Sequence, residues 1–137
     1  MSSGQQTITL SEITQGDGAY TCTITFSDAL GTAATALTLT AFTLDNAVAT
    51  PSETTAITTP TKDTSPDVVI TTTQAGTIVV AGTTGCGVDS AAVISGQQTI
   101  TLSTSTAGDG AYVCTITFTD SAGNAASALS LTSFTLD

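Results

Sequence analysis

Residues 109–119 read Asp-Gly-Ala-Tyr-Val-Cys-Thr-Ile-Thr-Phe-Thr. From Tyr112 onward apolar side chains fall on every second position, at Tyr112, Cys114, Ile116 and Phe118, with Thr115, Thr117 and Thr119 between them. Side chains along a strand point alternately to its two faces, so this spacing predicts a strand over 111–119 with one face buried. The Asp-Gly pair in front of it supplies a tight turn.

The same words occur earlier in the chain. SGQQTITLS at 95–103 and the segment 108–137 repeat residues 3–11 and 16–45 at an offset of 92, with about three-quarters of positions identical over 3–45. A repeat of this kind sets the domain reading before any other signal. It makes 46–137 one complete repeat and 1–45 the C-terminal half of a preceding one, whose N-terminal half is expected to be missing. Within 46–137 strands are expected at 54–59, 68–73, 77–81, 91–94, 99–103, 111–119 and 128–136. Gln74-Ala75-Gly76 reads as a hairpin turn between the second and third, and Ala122-Gly123-Asn124 as the turn before the last. Seven short strands in a repeat of this length fit an all-β fold, an immunoglobulin-like antiparallel β-sandwich. Tyr112, two residues before a cysteine and just after an acidic turn, reads as that sandwich's tyrosine corner, and Tyr20 repeats it.

Composition agrees. About a quarter of the chain is threonine, and threonine, valine and isoleucine suit a pleated strand better than a helix. Eleven acids face one base, Lys62, and there is no histidine. Nucleic acid or an anionic membrane surface would need clustered cations, so neither is an expected partner. Without histidine, the usual serine and cysteine triads and histidine-ligated zinc are excluded. No run approaches the ~18 consecutive apolar residues of a membrane helix, so no membrane insertion is expected. Residues 1–11 lack the basic start and apolar core of a secretion signal. No catalytic residue is assigned, and no enzyme is expected.

The chain resembles the bacterial immunoglobulin-like repeats strung in tandem in large cell-surface, adhesin-type proteins. The resemblance is carried by Thr-Pro-Thr at 59–61, Ala-Gly-Thr-Ile at 75–78, Asp-Gly-Ala-Tyr at 109–112 and Asp-Ser-Ala-Gly-Asn at 120–124. It departs from antibody domains in having no tryptophan, and in placing Cys86 after the third strand. The resemblance implies an extracellular or cell-surface setting, which permits disulfides. A Cys86–Cys114 bridge is then expected, with two buried free thiols as the alternative. Cys22 is left odd: free, intermolecular, or competing for Cys86. The resemblance also implies calcium at a domain junction, around Asp45 and Asn46 with Asp28 or Asp120. Asp17, Asp28 and Asp45, with their counterparts Asp109, Asp120 and Asp137, equally suit ordinary turn chemistry. Lys62 with Asn46 or Asn124 is the available isopeptide set, against a solvated lysine in a polar loop.

The function expected is a non-catalytic structural repeat, the stalk or spacer of an exported surface protein, with neighbouring repeats as partners. Two alternatives remain. One is a self-assembling oligomer or filament joined by strand exchange from the spare half. The other is a ligand-binding module, which Tyr20 and Tyr112 serve poorly as a sugar platform because both are assigned to corners.

Overall fold

The computed structural model describes residues 4–11, 16–82, 85–88, 91–103 and 108–137, which contain strands and turns and no helix. The chain forms two units, Met1–Asn46 and Ala47–Asp137. Asn46 lies in the first, where its backbone N–H donates to the Asp17 carboxylate at 2.7 Å.

Among its described residues the first unit holds four short strands: β1 (Gly18–Tyr20), β2 (Thr23–Ile24), β3 (Leu37–Thr38) and β4 (Phe42–Leu44). They make two antiparallel ladders, β1 with β4 and β2 with β3.

The second unit continues with β5 (Ser52–Thr55), β6 (Asp67–Thr72), β7 (Gly76–Gly82), β8 (Ala91–Val93) and β9 (Gly96–Thr101). It ends with β10 (Gly110–Tyr112), β11 (Cys114–Asp120), β12 (Leu129–Ser130) and β13 (Phe134–Leu136). One sheet runs β5-β6-β9, the other β12-β11-β7-β8, and β10 pairs with β13 in a separate ladder. Val68, Ile70 and Ile100 of the first sheet share one core with Ile78, Val80, Val93, Ile116, Phe118 and Leu131 on the other side. This is an all-β immunoglobulin-like sandwich, built from the period-two pattern that 109–119 announces.

Four expectations need adjustment. The first strand is Ser52–Thr55 rather than 54–59, with an irregular register between Glu53 and Thr55. Beyond it the chain leaves that sheet, buries Ile57, and bridges Thr61 in parallel to Leu136. The turn at 74–76 does not close a hairpin, since β6 and β7 lie in different sheets. Gln74 is instead a strut: its side-chain oxygen accepts from Ala49 N–H at 2.5 Å and its amide donates to the Ala47 carbonyl at 3.3 Å. Finally, 111–119 and 128–136 each divide in two. At Val113, and across 131–133, both segments pass together from the β10–β13 ladder to the larger sheet, held by the Leu131 N–H to Cys114 carbonyl bond of 2.9 Å.

The second bend is anchored from outside its own hairpin. Both the N–H and the hydroxyl of Thr132 donate to Glu53 Oε2 at 2.8 Å. Glu53 Oε1 is buried and has no hydrogen-bond partner among the described residues.

Strand β7 meets β11 over seven antiparallel pairs, from Gly82 opposite Cys114 to Gly76 opposite Asp120. Both end residues are glycine for a steric reason. A Cβ at Gly76 would sit 2.2 Å from the Thr119 carbonyl oxygen, and one at Gly82 would sit 2.2 Å from that of Val113. Any side chain at either position would push the strands apart.

Phe118 is fully buried, whereas its counterpart Phe26 is 46 % exposed. Replacing Phe118 by alanine is therefore expected to cost about 3–5 kcal/mol through lost burial and a cavity. Phe26→Ala should change the same transition by no more than about 0.5 kcal/mol. Urea unfolding followed by circular dichroism measures both, and equal costs for the two would contradict this assignment of the core.

Candidate functional site

The residues with chemistry to offer lie along the ends of β10 and β11. Cys114 is the first residue of β11 and points into the core. Cys86 stands in the loop after β7, partly buried against the same core. The two form a disulfide with an S–S distance of 2.02 Å and a Cα–Cα distance of 5.7 Å. Gly82, with φ of 139°, lets β7 end tight against Cys114 before the loop returns with Cys86. Cys22, at the position equivalent to Cys114, is a partly buried free thiol.

Both tyrosine corners are formed. Tyr112 is buried, its hydroxyl donates to the Gly108 carbonyl at 2.6 Å, and its ring stacks on Phe134 at 5.2 Å. Tyr20 donates to the Gly16 carbonyl and stacks on Phe42 at 5.9 Å. Each phenol staples the turn in front of its strand to the strand itself.

The candidate calcium residues are drawn into turns. The alternation of β11 carries Asp120 to the inward face, where it is 6 % exposed. A carboxylate there must be hydrogen-bonded to be tolerated. Its Oδ1 accepts from Ala122 N–H at 2.9 Å and Asn124 N–H at 2.8 Å, and its Oδ2 from the Asn124 amide at 2.9 Å. These bonds, the Asn124 side chain foremost, outweigh burial and hold the Asp120 carboxyl below its ordinary pKa. Asp28 accepts from Leu30 and Thr32 N–H, both at 2.9 Å, and has Thr32 where Asp120 has Asn124. Asp45 follows β4, next to Asn46, whose N–H is held by Asp17. Among the described residues no three acidic or thiol side chains gather as a cation site would require. Asn124 is engaged with Asp120, and Lys62 is exposed in its loop.

The sequence reading missed Glu53, Gln74 and the glycine pair of β7. A lone acid in a threonine-rich strand, and glycines at both ends of Thr-Ile-Val-Val-Ala, were the available signals. Their partners lie far along the chain, and spacing alone does not reveal those.

A shallow, open depression in the first unit is lined by Thr25, Phe26, Ser27, Asp28 and Ala29. The sandwich described above, with its two sheets and its Asp-Gly-Ala-Tyr corner, coincides with a family: the model of the bacterial Ig-like domain matches residues 47–137. The chain belongs to the bacterial Ig-like domain family. No curated protein and no solved structure matches it. Bacterial Ig-like domains are structural or surface repeat modules, generally non-catalytic, and usually occur in surface or extracellular proteins. No helix among the described residues is long and apolar enough to cross a membrane.

The Asp120 turn of this bacterial Ig-like domain makes stability depend on pH with a definite sign. A carboxyl whose folded pKa lies below its unfolded value of about 3.9 stabilises above that value, and the gain is lost as pH falls through the folded pKa. Asn124→Thr, which copies the first unit's turn, removes the amide donor. The variant should melt below the parent at pH 7, and the two melting curves should converge as pH falls below about 4. A gap that persists unchanged in acid would mean that the Asn124 amide does not act through the Asp120 charge.

Proposed function

We propose that this chain is a spacer of an exported surface protein, a module that carries load and sets distance without acting on a substrate. The observation that supports this best is the Cys86–Cys114 bridge between the β7–β8 loop and the first residue of the central strand β11. Such a bond suits an oxidising, extracytoplasmic compartment. It also shields the 28-residue span between the two cysteines from extension when the ends of the module are pulled. The near-identical second copy of the C-terminal half fits an array grown by duplication. The acidic, nearly base-free composition keeps such arrays soluble and mutually repelling. Recognition of a sugar is less favoured, because both tyrosine hydroxyls are committed to the corners.

Single-molecule stretching of a tandem fusion of the chain tests this reading. Each second unit should give a distinct force peak, and reduction should lengthen every unfolding step by about 95 Å, the reach of 28 residues at roughly 3.4 Å each. Unfolding at negligible force, or compact rather than elongated particles in electron micrographs of the fusion, would overturn the spacer assignment.

A further inference from the structure

The chain passes from one unit to the next through Asn46-Ala47-Val48-Ala49-Thr50-Pro51. Connections between domains are commonly exposed and mobile, with few contacts to either side. This one is engaged along most of its length. Ala49 and Pro51 are buried, and Val48 packs against the core of the second unit.

Gln74 holds the same stretch by its side-chain amide. Its Oε1 accepts from Ala49 N–H at 2.5 Å, and its Nε2 donates to the Ala47 carbonyl at 3.3 Å. The two bonds bracket Val48, as one residue of a parallel strand would do from the neighbouring position. Only a side chain that both donates and accepts can make the pair: a glutamate keeps the acceptor alone, and a lysine only donors. Gln74 is itself pinned, since its carbonyl accepts from the Thr72 hydroxyl at 2.8 Å and Thr72 is buried at the end of β6. In the first unit, Asn46 N–H donates to Asp17, which lies between β1 and Gly16, the residue whose carbonyl accepts from the Tyr20 hydroxyl. Each clamp lies within its own unit.

We propose that Gln74 is a latch that docks residues 47–51 onto the second unit, so that the connection between repeats has no slack. An undocked six-residue linker of small residues would let its ends wander by about 13 Å, the coil dimension of such a chain. Docked, the same residues are part of the sandwich, and each repeat adds a fixed step. The latch deepens the spacer reading and rests on it only for this use in an array. The stretching experiment described above decides that reading separately.

The test is backbone nitrogen-15 relaxation on the full 137-residue chain. The amides of Val48, Ala49 and Thr50 should show order parameters of about 0.85, the value of rigid backbone. Gln74→Ala should drop them below about 0.6 while Ile116 and Phe118 in β11 keep theirs, which shows that the sandwich is intact. Gln74→Glu, of the same length, keeps the acceptor for Ala49 but loses the donor to Ala47. It should lower the order at Val48, and it serves as the reading if the alanine variant fails to fold. Values below about 0.6 at 48–50 in the parent, or no change in either variant, would overturn the proposal.

Discussion

The ladder between β7 and β11 joins the N-terminal and C-terminal halves of the second unit, and the rest of that unit depends on it. Seven residue pairs, bounded by Gly82 with Cys114 and Gly76 with Asp120, bring together segments some forty positions apart. The ladder sets Ile78 and Val80 beside Ile116 and Phe118, so one face of the pair becomes a wall of the core. Burying such side chains is worth roughly 1.5–3 kcal/mol each, enough to offset the entropy of closing so long a loop. The glycines at its ends matter because ladder hydrogen bonds tolerate little separation. Where the ladder has no counterpart, in the first unit, the same strand shortens to Thr23–Ile24 and its phenylalanine stays half exposed.

Around that ladder the polar chemistry of the domain is turned toward structure. The disulfide locks the Cys114 end, and the Asp120 turn closes the other. The tyrosine corner fixes the segment that enters β11, and Glu53 fixes the bend between β12 and β13 from across the sandwich. The local devices, the corner and the aspartate turn, recur in the first unit because their partners lie within four residues. The long-range ones do not, because their partners belong to the segment 47–93. The division explains how the first unit keeps the hairpin register of the second while Phe26 and Leu37 stay exposed.

This gives a module held by long-range pairing reinforced by one covalent bond. It also separates two properties that one repeat combines. The second unit is closed and carries its own core. In the first, the counterpart residues Phe26 and Leu37 are exposed.

The amino-acid sequence by itself determined the features that depend on spacing along the chain. Alternation at 112–118 put Tyr112, Cys114, Ile116 and Phe118 inward, the offset of 92 marked the repeat, and the Asp-Gly-Ala-Tyr and Asp-Ser-Ala-Gly-Asn words located corner and turn. Only the tertiary structure decided which segments are neighbours. It separated β6 from β7 into different sheets, divided 111–119 and 128–136 where they change sheets, and gave Glu53 and Gln74 their partners. It also paired Cys86 with Cys114 and showed the Asp28 and Asp120 carboxylates bonded to their own turns. The physical reason is the range of the forces. Backbone alternation and side chain-to-backbone turns act over a few residues and are written in local order. Ladder partners and core contacts are settled by which distant surfaces can be removed from water together.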